Sequence, residues 1–250
     1  MGLNHIKNLM DEMKFTGMAH SLERLLSEAQ TQGWSATEFL DGLLQVEYDY
    51  RENKKITSRL KFSRLKRKPV FEDFDFTAKR SITKSQIKEL YNLSWMGRPI
   101  VLIGPTGVGK TFIAQAIGTH ACQNKHTVLC MRASTFLEEL GLARSSGSYL
   151  KFKNRIAKPD VFIFDDFGMR KFSSPEAEAF CELLEDRSYG KSTVITTQLP
   201  FENWAEVIED PVIADAIIDR LKHVSLTYKI KGESYREIQA KKLDAQKKGD

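Results

Sequence analysis

The chain has 250 residues, 41% hydrophobic and 28% charged, and its basic residues outnumber its acidic ones by five. These values exclude a disordered or fibrous chain and leave room for one substantial core with a smaller attachment. No apolar run approaches the roughly 18 residues of a membrane helix, and Met1 to Glu12 lacks the apolar stretch of a secretory signal. Three scattered cysteines, Cys122, Cys130 and Cys181, suit reduced thiols better than a disulfide framework or zinc site. The expectation is a cytoplasmic protein with no membrane partner.

Residues 3–32 read as helices. Ile6, Leu9, Met10 and Met13 fall on one face, and Met18, Leu22, Leu25, Leu26 and Ala29 on another. Gly33 breaks the pattern. Ser35 and Glu38 then form a capping box, where each side chain satisfies an orphan backbone donor. Phe39, Leu43, Val46 and Tyr50 carry a long helix beyond it. Its far end holds Lys54, Lys55, Arg59, Lys61, Arg64, Lys66, Arg67 and Lys68 without one acidic residue between, and Pro69 is expected to end the helix.

After residue 69 the pattern changes. Phe71, Phe74 and Phe76 lie on an extended segment, and a short helix is expected over 84–94. Apolar runs at 99–103, 127–131, 161–164, 193–196 and 224–228 alternate with helical stretches, which indicates a parallel sheet covered by helices on both faces. The predicted organisation is a small all-α domain over 1–69 and an α/β domain over 70–250.

Gly104-Pro105-Thr106-Gly107-Val108-Gly109-Lys110-Thr111 matches G-x-x-x-x-G-K-[ST] between an apolar strand and an apolar helix. The glycines let backbone N–H groups wrap a phosphate, and the helix N-terminus adds its positive dipole. Lys110 is expected to reach the β/γ-phosphates of ATP, and Thr111 to give a hydroxyl to Mg²⁺. Val161-Phe162-Ile163-Phe164-Asp165-Asp166 ends a second strand in two acids, 55 residues beyond the lysine. One strand and two helices fit between, and the spacing implies another strand inserted between the loop-bearing and acid-bearing strands. Asp165 is expected on the metal side. Asp166 is expected to orient or deprotonate water. A small-molecule kinase would share the loop but not need this acid pair.

Two later positions are open. Gln198 ends the strand 193–197, where it would contact the γ-phosphate or water, or serve as a strand-end turn residue. Arg220 sits on an apolar helical face, where it would act on a neighbouring subunit's γ-phosphate or pair within the chain with Asp215 or Asp219.

The loop, Phe-Asp-Asp at 164–166, Thr-Thr-Gln at 196–198, Leu-Pro-Phe-x-x-Trp at 199–204, Asp-Arg-Leu at 219–221 and Gly-Glu-Ser-Tyr-Arg at 232–236 occur in one order. That order resembles the IstB-like ATP-binding proteins of insertion sequences, AAA+ relatives of helicase loaders and initiators. Phe-Thr-Gly-Met-Ala at 15–19 and Phe-Asp-Phe at 74–76 extend the resemblance over nearly the whole chain. It implies a P-loop AAA+ ATPase, Mg²⁺-dependent, that assembles as an ATP-bound oligomer on double-stranded DNA and activates the transposase of the same element. It also implies Arg220 as a trans-acting arginine finger and Arg236 as a second nucleotide sensor. Gln198 stands where the family usually has Asn, one methylene shorter, and Asp166 where many AAA+ enzymes have Glu.

Eight positive charges without a negative one exceed an ordinary solvated helix face, so residues 54–68 are expected to contact DNA phosphates with little sequence preference. A second basic stretch, Arg144 to Ser148 with Lys151 and Lys153, is a candidate DNA loop, and the tail 241–248 reads as a solvated end. The competing readings are a replicative helicase loader and a DNA-architectural module that binds ATP without hydrolysing it.

Overall fold

Pairs of capping residues and left-handed turns set the limits of the first helices. The computed structural model describes residues 2–240, and the tail 241–248 lies outside them. It begins with α1 (Leu3–Glu12), α2 (Thr16–Gln32) and α3 (Ala36–Phe62). Gly33 closes α2 at φ 68°, a conformation that costs glycine little. Ser35 N–H donates to Glu38 Oε2 at 2.7 Å and Glu38 N–H to Ser35 Oγ at 3.3 Å, completing the box that opens α3. Gly17 lets α2 approach α3 closely, since a Cβ there would sit 2.8 Å from Val46 O. Glu47, 5% exposed, accepts from Met18 N–H at the α2 N-terminus and pairs with Arg51 at 2.7 Å. Leu22, Leu25 and Leu43 are the buried centre of this unit. The expected face of α1 divides: Met10 packs against that centre, while Ile6, Leu9 and Met13 stay exposed.

The chain forms two compact units, Met1–Ser58 and Arg59–Asp250, so the division falls inside α3, ahead of Pro69. The helix also ends earlier than expected, at Phe62. Ser63 O accepts the Cys130 N–H at 2.7 Å, Ser63 Oγ accepts from Leu65 N–H, and Arg64 turns left-handed at φ 56°. The chain abandons the helix to dock on an edge strand of the sheet.

The second unit continues with α4 (Lys84–Tyr91), β1 (Ile100–Ile103), α5 (Lys110–Gln123), β2 (Val128–Arg132), α6 (Ala133–Ser145), α7 (Tyr149–Ala157), β3 (Val161–Phe167), α8 (Ser174–Arg187), β4 (Ser192–Thr197), α9 (Pro211–Lys222) and β5 (Leu226–Lys229). Where one strand and two helices were expected between the lysine and the acids, the lysine's own helix is followed by β2, α6 and α7. Gly147, at φ 68°, breaks α6 from α7. Phe71–Asp73 is a 3-10 turn rather than extended chain, and it tucks Phe71 into the core.

The described strands form one parallel sheet in the order β2-β3-β4-β1-β5, so β4 lies between the loop-bearing β1 and the acid-bearing β3. The central strands β1, β3 and β4 are buried on both faces and their residues divide by alternation. Val101, Ile103, Leu129, Phe162, Phe164 and Ile195 face the layer of α6 to α9. Ile100, Leu102, Val128, Ile163 and Val194 face α4 and α5. This is the AAA+ P-loop architecture, with helices preceding it. Among the described residues no helix is long and apolar enough to cross a membrane.

Candidate nucleotide site

The polar residues of the second unit converge at the carboxyl ends of β1, β3 and β4. The turn from β1 into α5 holds Gly107 at φ 87° and Gly109 at φ 101°, where a side chain would be strained. Gly104 N–H donates to Thr197 O at 3.1 Å, which ties the loop to β4. Lys110, 7% exposed, donates Nζ to Gly104 O at 2.8 Å and Pro105 O at 2.9 Å. Burial pulls its pKa below the usual lysine value, Asp166 and Asp165 oppose that, and Arg236 adds to it. Those three side chains therefore share one electrostatic neighbourhood with the lysine.

Thr111 Oγ1 donates to Asp165 Oδ1 at 2.9 Å, joining the start of α5 to the end of β3. Thr196, fully buried on β4, donates to the same oxygen at 2.6 Å and accepts the Asp166 N–H at 2.9 Å. Burial pushes the Asp165 carboxyl above its ordinary value; Thr196 opposes the shift, the Asp166 charge reinforces it, and Thr111 and Arg132 oppose it weakly. Asp166 is left-handed at φ 63°, within a register shift between Phe164 and Phe167 where β3 bulges against β4. Such a bulge re-aims a side chain at a strand end. Aspartate tolerates the conformation better than most residues.

Both implied groups fit these residues. Gly107 and Gly109 turn left-handed at the start of α5, which offers N–H groups to a phosphate. The loop glycines also admit the segment after β5, since a Cβ on Gly107 would meet Ser234 Oγ at 2.2 Å and one on Gly104 would meet Ile230 O at 2.1 Å. A buried carboxylate beside a hydroxyl is the hard-oxygen donor set that suits Mg²⁺.

The segment after β5 folds over this loop. Ile230 N–H donates to Ile103 O at 2.7 Å and Tyr235 N–H to Gly107 O at 3.0 Å, and residues 235–240 are helical. Arg80 lies 3.9 Å from the Phe74 ring centre and 5.1 Å from that of Tyr235, and its Nη1 reaches Val108 O at 3.4 Å. Tyr235 Oη donates to Asp75 at 3.1 Å. Arg236 is thereby carried to the Lys110 neighbourhood.

The other two positions are placed differently. Gln198 is exposed and donates Nε2 to Met169 Sδ at 3.2 Å, turned from the acids. Arg220 pairs with Glu185 of α8 at 3.3 Å and donates to Cys181 Sγ, so its partner in the chain is neither Asp215 nor Asp219.

The basic segment is not uniform. Lys54 and Lys55 belong to the first unit, with Lys55 paired to Glu52 at 2.7 Å. Arg59 is half-buried, and Arg64 pairs with Glu139 at 2.8 Å. Lys61, Lys66, Arg67 and Lys68 are exposed. In the second basic stretch Lys153 pairs with Glu182 and Asp186, both at 3.1 Å, and Arg144 donates to Pro175 O.

Residues 8–243 match the family model described as IstB-like ATP binding protein. The chain belongs to that family. An insertion sequence ATP-binding protein of Sinorhizobium fredii, y4pL, is 34% identical over 235 residues, 93% of this chain and 96% of that protein. Among solved structures, AMPPCP-bound DnaA from Aquifex aeolicus aligns with a TM-score of 0.58 at 18% identity, over 73% of this chain and 56% of that one. The DnaC helicase loader aligns at 0.55 and 18%, over 67% of this chain and 99% of that one. At these identities the two structures show shared fold. The chain is thus a member of the IstB-like ATP-binding family with the AAA+ fold.

Sequence reasoning missed Thr196, Arg80 and Tyr235. Thr196 was legible only as part of Thr-Thr-Gln, since its role comes from β4 lying between the two functional strands. Arg80 is an isolated basic residue in a loop, and only the fold pairs it with Phe74 and Tyr235.

Proposed function

We propose that this protein hydrolyses ATP at the Lys110–Asp165–Asp166 site, and that the ATP-bound form assembles on duplex DNA to activate the transposase of its own insertion sequence. The observation that carries the chemistry is the Thr111–Asp165 hydrogen bond, which closes the phosphate loop onto the acid-bearing strand. Backbone N–H groups of residues 106–111 bind the phosphates, and Lys110 exchanges its two loop carbonyls for β/γ-phosphate oxygens. Thr111 and Asp165 hold Mg²⁺, which when bound neutralises developing charge on the phosphates. Asp166, re-aimed by the bulge, orients the attacking water and accepts its proton. Arg236, carried over the loop by Tyr235, stabilises the phosphate charge from the far side.

Arg220 acts on the site of a neighbouring copy. Its bond to Glu185 joins side chains 38% and 62% exposed, and a pair that open to solvent contributes about 0–1 kcal/mol, so it is readily given up. The helicase-loader reading rests on fold likeness alone, whereas an insertion-sequence relative matches over 93% of this chain.

Asp166→Asn tests the catalytic assignment. The variant should bind ATP with near wild-type affinity and lose hydrolysis by about 100-fold or more, because an amide accepts no proton. Loss of ATP binding instead would give Asp166 the metal role and overturn the assignment. The DNA reading is tested by replacing Lys61, Lys66, Arg67 and Lys68 with Ala and titrating salt. Binding should weaken on all sequences alike, with a log–log salt slope shallower by about three to four, since each lost phosphate contact removes about 0.9. Equal slopes would mean that these side chains only solvate the surface.

A further inference from the structure

A groove of about 450 Å³ separates α6 from α7, lined among others by Glu139, Ser146, Ser148, Lys151, Phe152 and Arg155. At its edge one carboxylate joins two arginines from distant parts of the chain. Glu139 accepts from Arg64 Nη1 through Oε1 at 2.8 Å, and from Arg155 Nη2 through Oε2. Arg155 Nε is buried and meets no acceptor, so the carboxylate satisfies only part of that guanidinium. Burial alone would raise the Glu139 carboxyl, but the hydrogen bonds and charges of Arg64 and Arg155 outweigh it, and the group is held below its ordinary value as a carboxylate.

Two oxygens of one anion gripping two guanidinium groups is also how a phosphodiester is held. A phosphate engaging Arg155 through both Nη2 and Nε would satisfy the donor that Glu139 leaves over. Both ion pairs are part-exposed, with side chains 45%, 37% and 26% exposed for Arg64, Arg155 and Glu139, so exchanging them costs little. The hydroxyls of Ser146 and Ser148, 2.8 Å apart, also line the groove and add neutral donors, and Lys151 adds an exposed charge.

We propose that Glu139 is an internal surrogate for phosphate: it holds Arg64 and Arg155 in the DNA-free chain, and a DNA phosphodiester displaces it and takes both arginines. The inference rests on the reading that the second unit binds duplex DNA. It explains why a basic segment keeps one acid bound to its only left-handed arginine. The surrogate keeps two cations from scavenging small anions, and it gives way only where neighbouring phosphates of a polymer bind alongside.

The test is Glu139→Gln in the full-length protein, against wild type, on duplex DNA across a salt titration. The variant should bind about 5–10-fold more tightly near 0.1 M salt, with a slope steeper by about one, because one more phosphate contact is released from competition. Glu138→Gln makes the same change in net charge at the exposed neighbouring position and should leave affinity within twofold. In an Arg64→Gln, Arg155→Gln background the gain from Glu139→Gln should vanish. If Glu139→Gln lowers the unfolding midpoint too far for use, Glu139→Asp keeps the charge, is too short for both arginines, and should show a smaller gain. Unchanged or weaker DNA binding by a folded Glu139→Gln overturns the surrogate role, as does an equal gain from Glu138→Gln. Saturable binding of millimolar inorganic phosphate by DNA-free wild type, at matched ionic strength, would assign the groove to a free anion and overturn it too. Wild type failing to bind duplex at low salt would instead remove the DNA reading itself.

Discussion

Among the described residues two cations are buried in the second unit, at opposite ends of the sheet, and their partners differ in kind. Lys110 lies at the carboxyl ends of the strands and bonds to two carbonyls of its own loop. Arg187, 1% exposed, lies at the amino ends and donates to Ile156 O, Ala157 O, Pro159 O, Asp160 O, Ser192 O and Thr193 Oγ1. The Arg187 acceptors come from the end of α7, the start of β3 and the start of β4, so one guanidinium fastens three segments. Burial lowers it to about 10, still fully charged at neutral pH. The comparison teaches what burial of a charge serves. A cation whose partners are spread over the fold holds it together, and a cation whose partners sit in one adjustable loop is ready to change them.

The largest effect should come from Arg187→Ala. It strands buried carbonyls with no donor, a loss of about 3–5 kcal/mol, and thermal unfolding should drop by roughly 10 °C. Arg187→Lys, which keeps charge but not the planar fork, should recover only part. Next comes Lys110→Ala, whose midpoint should move by no more than about 2 °C. Its ATP turnover should fall by about 100-fold or more, because the lost contacts are made to phosphate. A midpoint loss matching that of Arg187→Ala would make Lys110 a structural clamp and break the contrast.

Asp165 sharpens the same contrast with a modest gain in stability in place of a loss. Its pKa is raised, so its favourable contribution is present below the ordinary carboxylate range and is lost as pH rises through the raised value. At neutral pH the buried charge costs stability that function requires. Asp165→Asn keeps the acceptor for Thr111 and Thr196, and should gain about 1 kcal/mol, or roughly 2–4 °C, at pH 7 while losing ATPase activity. The gain should disappear below about pH 4, where the wild-type carboxyl is protonated. A variant no more stable than wild type at neutral pH would show that the two threonines fully compensate the burial.

The sequence by itself determined the parts of this protein that depend on neighbours along the chain. Gly104 to Thr111 specify a phosphate loop because glycine dihedrals and a helix start are local properties. Phe164-Asp165-Asp166 mark a strand ending in acids for the same reason, and the alternation of short apolar runs with helices specifies a covered parallel sheet. Ser35 and Glu38 cap α3 within one turn. The tertiary structure alone decided whatever depends on pairing across the chain. Thr196 serves both acids because β4 is inserted between β1 and β3, and strand order is a global choice. The basic segment looked uniform because a sequence shows charge but not partners; the fold gives Arg64 to Glu139 and leaves Lys66, Arg67 and Lys68 exposed. Arg187 reads as one more surface arginine at a helix end until α7, β3 and β4 close around it, since burial is decided by packing and not by residue type.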